Sequence, residues 1–509
     1  MSIETTAFQY SKFQEDIFDD VATGSGNRVI EARAGSAKTT TIIEAMKHIT
    51  CGAVAPRVIF LAFNKHIATE LQTKVPAFAV AQTCNSLGYQ AFRGTYRGFT
   101  KVDANKTQNK LRYEILNHAF DSKDEKGIKT YYKVRNPISR LVGLAKAHMI
   151  PDSTQLSLVY QELADKYDIE IPELDPQNGL TFEALLAETY GLCLADRKRI
   201  DFDDQIFFPV ILDLPVPQYD WVFIDEAQDW TLCQMELAKR LVAPGGRCIV
   251  VGDTHQAIYG FRGADTDAMA KWKTILNATE LPLSICYRCA KSIIAEAQKI
   301  VPTIEPFEGQ IEGEVVNADR VDYLAALKDG DYVLCRTTAP LVSDCLHLIR
   351  QGRKANIKGR EIGANLIELI ETICGANGLD KCDIPTFLKL LSEWEEKQID
   401  KCRNNENKLV ALTDKCETLR ALAEDCNLVV TLKNTIEKIF SDSANDGVVF
   451  STVHKAKGLE GDNVYIIRPD LMPHPRVKND WQKVQEMNLR YVAITRAKRR
   501  LVYVQNQVD

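Results

Sequence analysis

The stretch Val222-Phe-Ile-Asp-Glu-Ala-Gln-Asp229 constrains this chain more than any other. Three apolar residues, Val222, Phe223 and Ile224, read as a strand buried on both faces, as in a parallel sheet. Two carboxylates, Asp225 and Glu226, follow where that strand ends. Open α/β sheets bind ligands just beyond the carboxyl ends of their strands. Asp225 is therefore placed to hold a Mg²⁺ ion, directly or through water, and Glu226 to orient and deprotonate a water. An isolated Asp-Glu pair is more often a solvated acidic turn, so the reading needs a second feature.

That feature lies upstream. Arg28-Val-Ile-Glu31 reads as a short strand, Ala32-Arg-Ala-Gly-Ser-Ala-Lys-Thr39 as a loop, and Thr40 onward as a helix through Ile43, Met46 and Ile49. Strand, small-residue loop ending in Lys-Thr, then helix is the setting of a phosphate-binding loop. Backbone N–H groups of the loop and the helix N-terminus cradle the phosphates. Lys38 reaches the β- and γ-phosphates and Thr39 binds Mg²⁺. Ala37 stands where glycine is usual, and its Cβ narrows the backbone conformations open to the loop.

Further apolar runs, Arg57–Phe63, Val80–Thr83 and Arg247–Asp253, alternate with helical patterns and complete a parallel, RecA-like sheet. A second parallel sheet is expected from Tyr332–Leu334, Val448–Phe450, Val464–Ile467 and Leu501–Val504. Each sheet carries a mainly helical insertion. The one in the second half contains a long amphipathic helix or hairpin over Trp394–Leu422, whose broken apolar stripe suits a packed arm better than a coiled-coil dimer. The fold class is thus α/β, with two RecA-like parallel-sheet domains. A length of 509 residues allows roughly three or four domains of ~150 residues.

Composition excludes several classes. No apolar run of ~18 residues exists, so no membrane span is expected. Met1–Asp20 is polar and acidic, without the apolar core of a signal peptide. Fourteen cysteines are scattered without a framework, which fits reduced thiols in a cytoplasmic, non-secreted protein. Cys286-x-x-Cys289 has no second pair at zinc spacing and reads as two core cysteines. The net charge of −6 argues against a simple nucleic-acid coat. Yet Lys101–Ile150 holds eleven Lys/Arg against five Asp/Glu. Such a module is either a solvated face or a phosphate-tracking surface. Tyr131 and Tyr132 among its lysines suit a nucleic-acid backbone or a helix core equally.

Taken together, these residues resemble the UvrD/Rep/PcrA family of superfamily 1A DNA helicases. The motifs run in family order: Gln14, Ala34–Thr39, Phe63-Asn-Lys65, Asp225–Asp229, Gly252–Ala264, Tyr287-Arg288, Ser451–Glu460 and Tyr491–Ala497. The resemblance implies domain 1A at 1–95 and 200–278, insertion 1B at 96–199, domain 2A at 279–340 and 445–509, and insertion 2B at 341–444. It implies ATP and Mg²⁺, with Ala34, Gly35, Ser36, Ala37, Lys38, Thr39 and Thr40 around the phosphates. Gln14 is assigned to adenine, Tyr287 to stacking on it, and Glu460 to the ribose. Gln256 is assigned to the γ-phosphate, and Arg288 and Arg496, from the second sheet, to the charge that develops there. Nucleotide binding then draws the domains together and hydrolysis lets them part.

The implied partners are single-stranded DNA and single-strand/duplex junctions, with replication or repair proteins beside them, and a monomer suffices. Phe63, Asn64, Thr83, Asn85, Tyr259, Phe261, Arg262 and His454 are the implied DNA contacts. Phe261 stands where the best-known relatives carry Trp, Asn85 where they carry His, and Gly260 replaces a larger residue. The expected activity is 3′→5′ ATP-dependent helicase or translocase action in replication, repair or recombination. The alternatives are a translocase that strips proteins without efficient unwinding, and a non-motor ATP-dependent DNA-binding switch. No nuclease domain is expected after the last motif.

Overall fold

The computed structural model describes residues 9–505 except 51, 53, 99–100, 121–123, 168, 175–178, 259–266, 376–378, 380–381, 403–405, 441–446, 476 and 478–479. The chain divides into two compact units, one of Met1–Ala32 and Ala37–Leu283, the other of Arg33–Ser36 and Ser284–Asp509.

The first unit is built on a sheet of β1 (Arg28–Ala32), β2 (Val58–Ala62), β3 (Ala79–Thr83), β6 (Tyr219–Ile224), β7 (Val242–Gly252) and β8 (Thr279–Leu283). Two short strands, β4 (Lys101–Val102) and β5 (Arg199–Ile200), form a separate ribbon. The order is β3-β2-β6-β7-β1-β8, all parallel. Alternation sends successive side chains to opposite faces. Phe60, Phe223 and Val251 pack with Ile17, Ile42 and Met46 on one face. Ile59, Leu61, Val222 and Ile224 pack with Phe92, Phe207 and Trp272 on the other. Both faces being covered explains why these strands read as unbroken apolar runs.

Strand β8 lies past the expected 278/279 division, so the first unit extends five residues further. Its sequence Thr-Glu-Leu-Pro-Leu hides it. Pro282 cannot donate to a ladder and is tolerated because β8 is an edge strand.

Between β4 and β5 lies the first insertion, with a π-helical segment Lys110–Leu116 and helices Glu125–Ala147, Ser153–Lys166 and Phe182–Ala195. It has its own apolar core, including Leu111, Val134, Ile138, Leu156, Leu185 and Tyr190. Tyr131 belongs to that core, while Tyr132 is exposed.

The second unit contains a ribbon of β9 (Ile285–Cys286) and β10 (Glu305–Pro306). Its main sheet joins β11 (Glu314–Ala318), β12 (Tyr332–Cys335), β13 (Ala355–Ile357), β14 (Val448–Thr452), β15 (Gly461–Ile467) and β16 (Ala497–Val504). The order is β11-β16-β15-β12-β14-β13, again parallel throughout. β13 falls inside the 341–444 segment expected to be insertion. Helix Ala339–Arg350 and β13 are instead part of the sheet's own architecture, and the inserted helices begin at Arg360. Helices Ile384–Cys402 and Glu406–Ala423 form the expected hairpin. Their Phe387, Leu391, Cys416 and Leu419 join one continuous core with Val333, Ile357 and Phe450 of the sheet. Cys286 and Cys289 are both fully buried. No helix among the described residues is long and apolar enough to cross a membrane.

Candidate functional site

The carboxyl ends of β1 and β6 flank that of β7, and the two sequence features converge there. The Thr39 hydroxyl donates to Asp225 Oδ2 across 186 residues of sequence. Asp225 is buried, and Glu226 N–H donates to its Oδ1 at 2.8 Å. Burial and the neighbouring Glu226 charge push the Asp225 carboxyl up to about 6, against the pull of the Thr39 hydroxyl and the Lys38 charge. Thr39 and Asp225 are hard oxygen donors side by side, and they fit Mg²⁺, which takes one or two protein oxygens and completes its shell with phosphate and water. Among the described residues, no group of three His, Cys, Asp or Glu forms an all-protein metal cage.

The phosphate loop fits an anion. Lys38 opens helix Lys38–Met46. The Ser36 hydroxyl is buried and, among the described residues, has no hydrogen-bond partner, which is costly unless a ligand supplies one. Ala37 has φ +59° and ψ +37°, the left-handed conformation. The sequence departs from glycine at the residue where glycine would be free, and the Cβ costs about 1–2 kcal/mol there. Thr40 is exposed on the helix. Gln14 lies on helix Lys12–Thr23, whose cap Ser11 forms a reciprocal box with it. Its Nε2 donates to Thr41 Oγ1 at 2.9 Å, so it stands beside the loop helix.

Glu226 also has a left-handed backbone, φ +51°. Such strain in a non-glycine residue is concentrated at functional sites. Gln228 Nε2 donates to Glu226 Oε2 at 2.6 Å. Gln256 is buried and donates from Nε2 to Asp253 Oδ2 at 2.6 Å. Residue type and motif position single out Glu226 and Gln256 but neither Gln228 nor Asp253. Both lie inside quoted motifs, yet their role depends on a contact between loops that no spacing reveals.

In the second unit, Tyr287 is half-buried and packs against Phe307 with ring centroids 5.2 Å apart. Arg288 Nε pairs with Glu460 Oε2 at 2.5 Å, and its Nη1 donates to the Thr495 carbonyl at 3.4 Å. Burial works against ionisation of Glu460, but Lys498 and Arg288 outweigh it and hold the carboxyl below its ordinary range. Arg496 is buried and donates to the carbonyls of Val492 and Leu459.

The expected DNA contacts of the first sheet follow its two adjacent strands β2 and β3. Phe63 is exposed at the end of β2. Asn64 and Thr83 cap the following helices, accepting from Ile67 N–H and Ser86 N–H. Asn85 donates to the Phe202 carbonyl at 2.8 Å. His454 follows β14 in the second unit, half-buried. Tyr259, Phe261 and Arg262 lie outside the described residues.

Comparison with known proteins adds an independent line. A family model described as the UvrD/REP helicase N-terminal domain matches residues 14–276, and one described as the UvrD-like helicase C-terminal domain matches 353–507. The chain is 24% identical over 512 residues to F-box DNA helicase protein 1 of Schizosaccharomyces pombe, covering 93% of this chain and 55% of that protein. It is 24% identical over 593 residues to a probable DNA helicase II homolog of Mycoplasma genitalium, covering 94% and 82%. It is 24% identical over 338 residues to ATP-dependent DNA helicase PcrA of Staphylococcus aureus, covering 61% and 43%. The chain thus spans about half the length of the first of these relatives.

Proposed function

Because the chain belongs to the UvrD-like helicase family, we propose that it is an ATP-dependent DNA helicase or translocase moving 3′→5′ on single-stranded DNA. The observation that carries this reading is the meeting of Thr39 and Asp225 beside a strained, hydrogen-bonded Glu226. Phosphoryl transfer asks little covalent chemistry of a protein and much positioning and charge stabilisation. Bound Mg²⁺ supplies charge neutralisation at the phosphate oxygens.

In this reading the chain's own residues divide the remaining work. Lys38 and the loop residues Ala34–Thr40 hold the phosphates, and Thr39 and Asp225 hold the metal. Glu226 accepts a proton from the attacking water. Gln256 meets the γ-phosphate. Gln14 reads the adenine, Tyr287 stacks on it and Glu460 meets the ribose. Arg288 and Arg496, both carried by the second unit, supply cations as charge develops. Phe63, Asn64, Thr83, Asn85 and His454 contact the strand. Tyr259, Phe261 and Arg262 join them on the strength of the family resemblance, since base stacking needs sequence-tolerant aromatics. The names of the relatives, all DNA helicases, support DNA as the track.

DNA-stimulated ATP hydrolysis and strand displacement test the reading together. Wild type should show both. Lys38→Ala should abolish turnover in a folded protein, and Glu226→Gln should bind ATP without hydrolysing it. Normal hydrolysis by folded Lys38→Ala would overturn the site. Hydrolysis without strand displacement would mark a translocase that strips proteins. DNA binding that responds to ATP without stimulated turnover would mark a switch.

A further inference from the structure

Three loop ends of the first unit are tied together by polar contacts that the assigned roles do not use. Gln228 is 1% exposed and lies between two of them. Its Nε2 donates to Glu226 Oε2 at 2.6 Å, while its Oε1 accepts the Asp253 N–H at 3.1 Å. Asp253, fully buried, accepts the Gln256 Nε2 at 2.6 Å on Oδ2 and the His255 N–H at 3.0 Å on Oδ1. The next residue, Thr254, donates N–H and Oγ–H to the two carboxylate oxygens of Glu31 on β1, at 3.2 and 3.0 Å.

The chemistry of this chain of contacts is selective. On one side of Gln228 is a carboxylate, which can only accept when ionised. On the other is a backbone N–H, which can only donate. A carboxamide satisfies both with one planar group, its N–H donating and its oxygen accepting. A carboxylate of the same shape would accept from Asp253 N–H but face Glu226 with like charge. The fit is also steric. A Cβ on Gly252 would stand 2.7 Å from Gln228 Oε1 and 3.1 Å from its backbone N, besides meeting Met269 Sδ at 2.5 Å. Glycine at 252 therefore leaves the space the amide fills, and the requirement here is room.

We propose that Gln228 and Asp253 are positioning residues that join the base Glu226 to the γ-phosphate residue Gln256 as one hydrogen-bonded relay, with Glu31 anchoring its far end. The proposal rests on the function assigned above and adds the route by which the two residues act together. Gln228 occupies one oxygen of Glu226 and turns the other toward the water. Asp253 fixes the Gln256 amide, so that a shift of Gln256 moves the Asp253 backbone and, through the Gln228 amide, the base. A relay of this kind predicts energetic coupling between its two ends.

The test is a kinetic comparison in the full chain with saturating single-stranded DNA. Gln228→Leu and the isosteric Gln228→Glu should each lower kcat for ATP at least tenfold, with KM within about twofold, in a protein that still folds but melts somewhat lower. Gly252→Ala should reproduce the loss by crowding the amide while residue 228 itself stays glutamine. Combining Gln228→Leu with Gln256→Ala should give little more loss than the worse single variant, because groups acting as one unit are non-additive. Should the Leu variant fail to fold, Gln228→Glu decides, alone and combined with Gln256→Ala. A Gln228→Glu protein turning over at the wild-type rate would overturn the relay. So would fold losses that multiply in the double variant. A wild type without DNA-stimulated hydrolysis would instead sink the functional reading on which the relay rests.

Discussion

The two helical insertions are attached to their sheets by different physics. The first keeps an apolar core of its own, Leu111, Val134 and Leu185 among its members. Part of what joins it to its sheet is a buried ion cluster. Lys106 meets Asp204 at 2.7 Å with both side chains fully buried, and Lys146 meets Asp201 at 2.5 Å and Asp204 at 2.9 Å. Asp204 opens helix Asp204–Ile211, whose Phe207 and Phe208 lie in the core beneath the first sheet. Among the described residues, the second insertion shows no separate core. Leu366, Phe387, Leu419 and Ile436 share one cluster with Val333, Ile357 and Phe450 of its sheet. Apolar attachment is non-directional and tolerates small shifts. A buried ion cluster is stable only while every charge keeps its partners. The first insertion thus leans on buried charge and the second chiefly on apolar area.

The largest expected effect comes from removing the shared acid of the first cluster. Asp204→Ala leaves Lys106 and Lys146 short of a buried partner and should cost about 3–5 kcal/mol. Hydrogen exchange should rise in the first insertion and leave the second unit unchanged. Equal loosening of both insertions would erase the contrast.

Leu419→Ala probes the other attachment. It should cost about 2–5 kcal/mol, and protection should fall in β12–β14 as well as in the inserted helices, because the core is continuous. A loss confined to the hairpin Ile384–Ala423 would mean that the second insertion is independent after all.

Acid should separate the two by sign. In the first insertion burial works against Asp196, but Lys110, at 2.8 Å, and the N–H groups of Arg199 and Lys198 hold its carboxyl far below the ordinary range. Its contribution is present above pH ~4 and is lost as pH falls below that. In the second, burial raises Asp414 despite its bonds from Thr338 and Ala339 N–H. The contribution of its neutral form is full below pH ~4 and is lost as pH rises through its raised value. Exchange corrected for intrinsic rates, followed downward from pH 5, should show the first insertion opening before the second. The reverse order would contradict the assignment of these charges.

The smallest effect concerns the outer face of the first insertion. Lys129 and Glu125 form an exposed pair at 3.2 Å, and Lys129→Ala should change stability by no more than about 1 kcal/mol. Neutralising Lys129, Lys133 and Arg135 together should flatten the salt dependence of DNA binding if this face tracks phosphates. An unchanged slope would leave only the internal lysines with a role.

Those internal lysines show where reading a sequence stops. Counting eleven basic residues over Lys101–Ile150 treats each as surface charge. Lys106, Lys110 and Lys146 are instead buried and neutralised by acids between Glu114 and Asp204. Three of the eleven expected surface charges are therefore structural. Central strands were legible because burial on both faces leaves a continuous apolar run, as in Val58–Ala62. The edges β8 and β11 and the short β13 were not, since exposure and brevity weaken the pattern.

What the sequence by itself determined is local. A strand, a loop of small residues ending in Lys38-Thr39 and a helix need only short-range backbone geometry. The same holds for the carboxylates that close Val222–Ile224, and motif order then pointed to the family. What only the tertiary structure decided is which distant groups face one another. Lys106 finds Asp204 across 98 residues, and Gln228 finds the Asp253 N–H across 25. Ala37 proves to occupy the left-handed residue of the loop, and one insertion fuses with its sheet while the other does not. Hydrogen bonds and buried charges are directional and act over a few ångströms. Their partners are set by how strands order in a sheet, and residue spacing along the chain carries no record of that order.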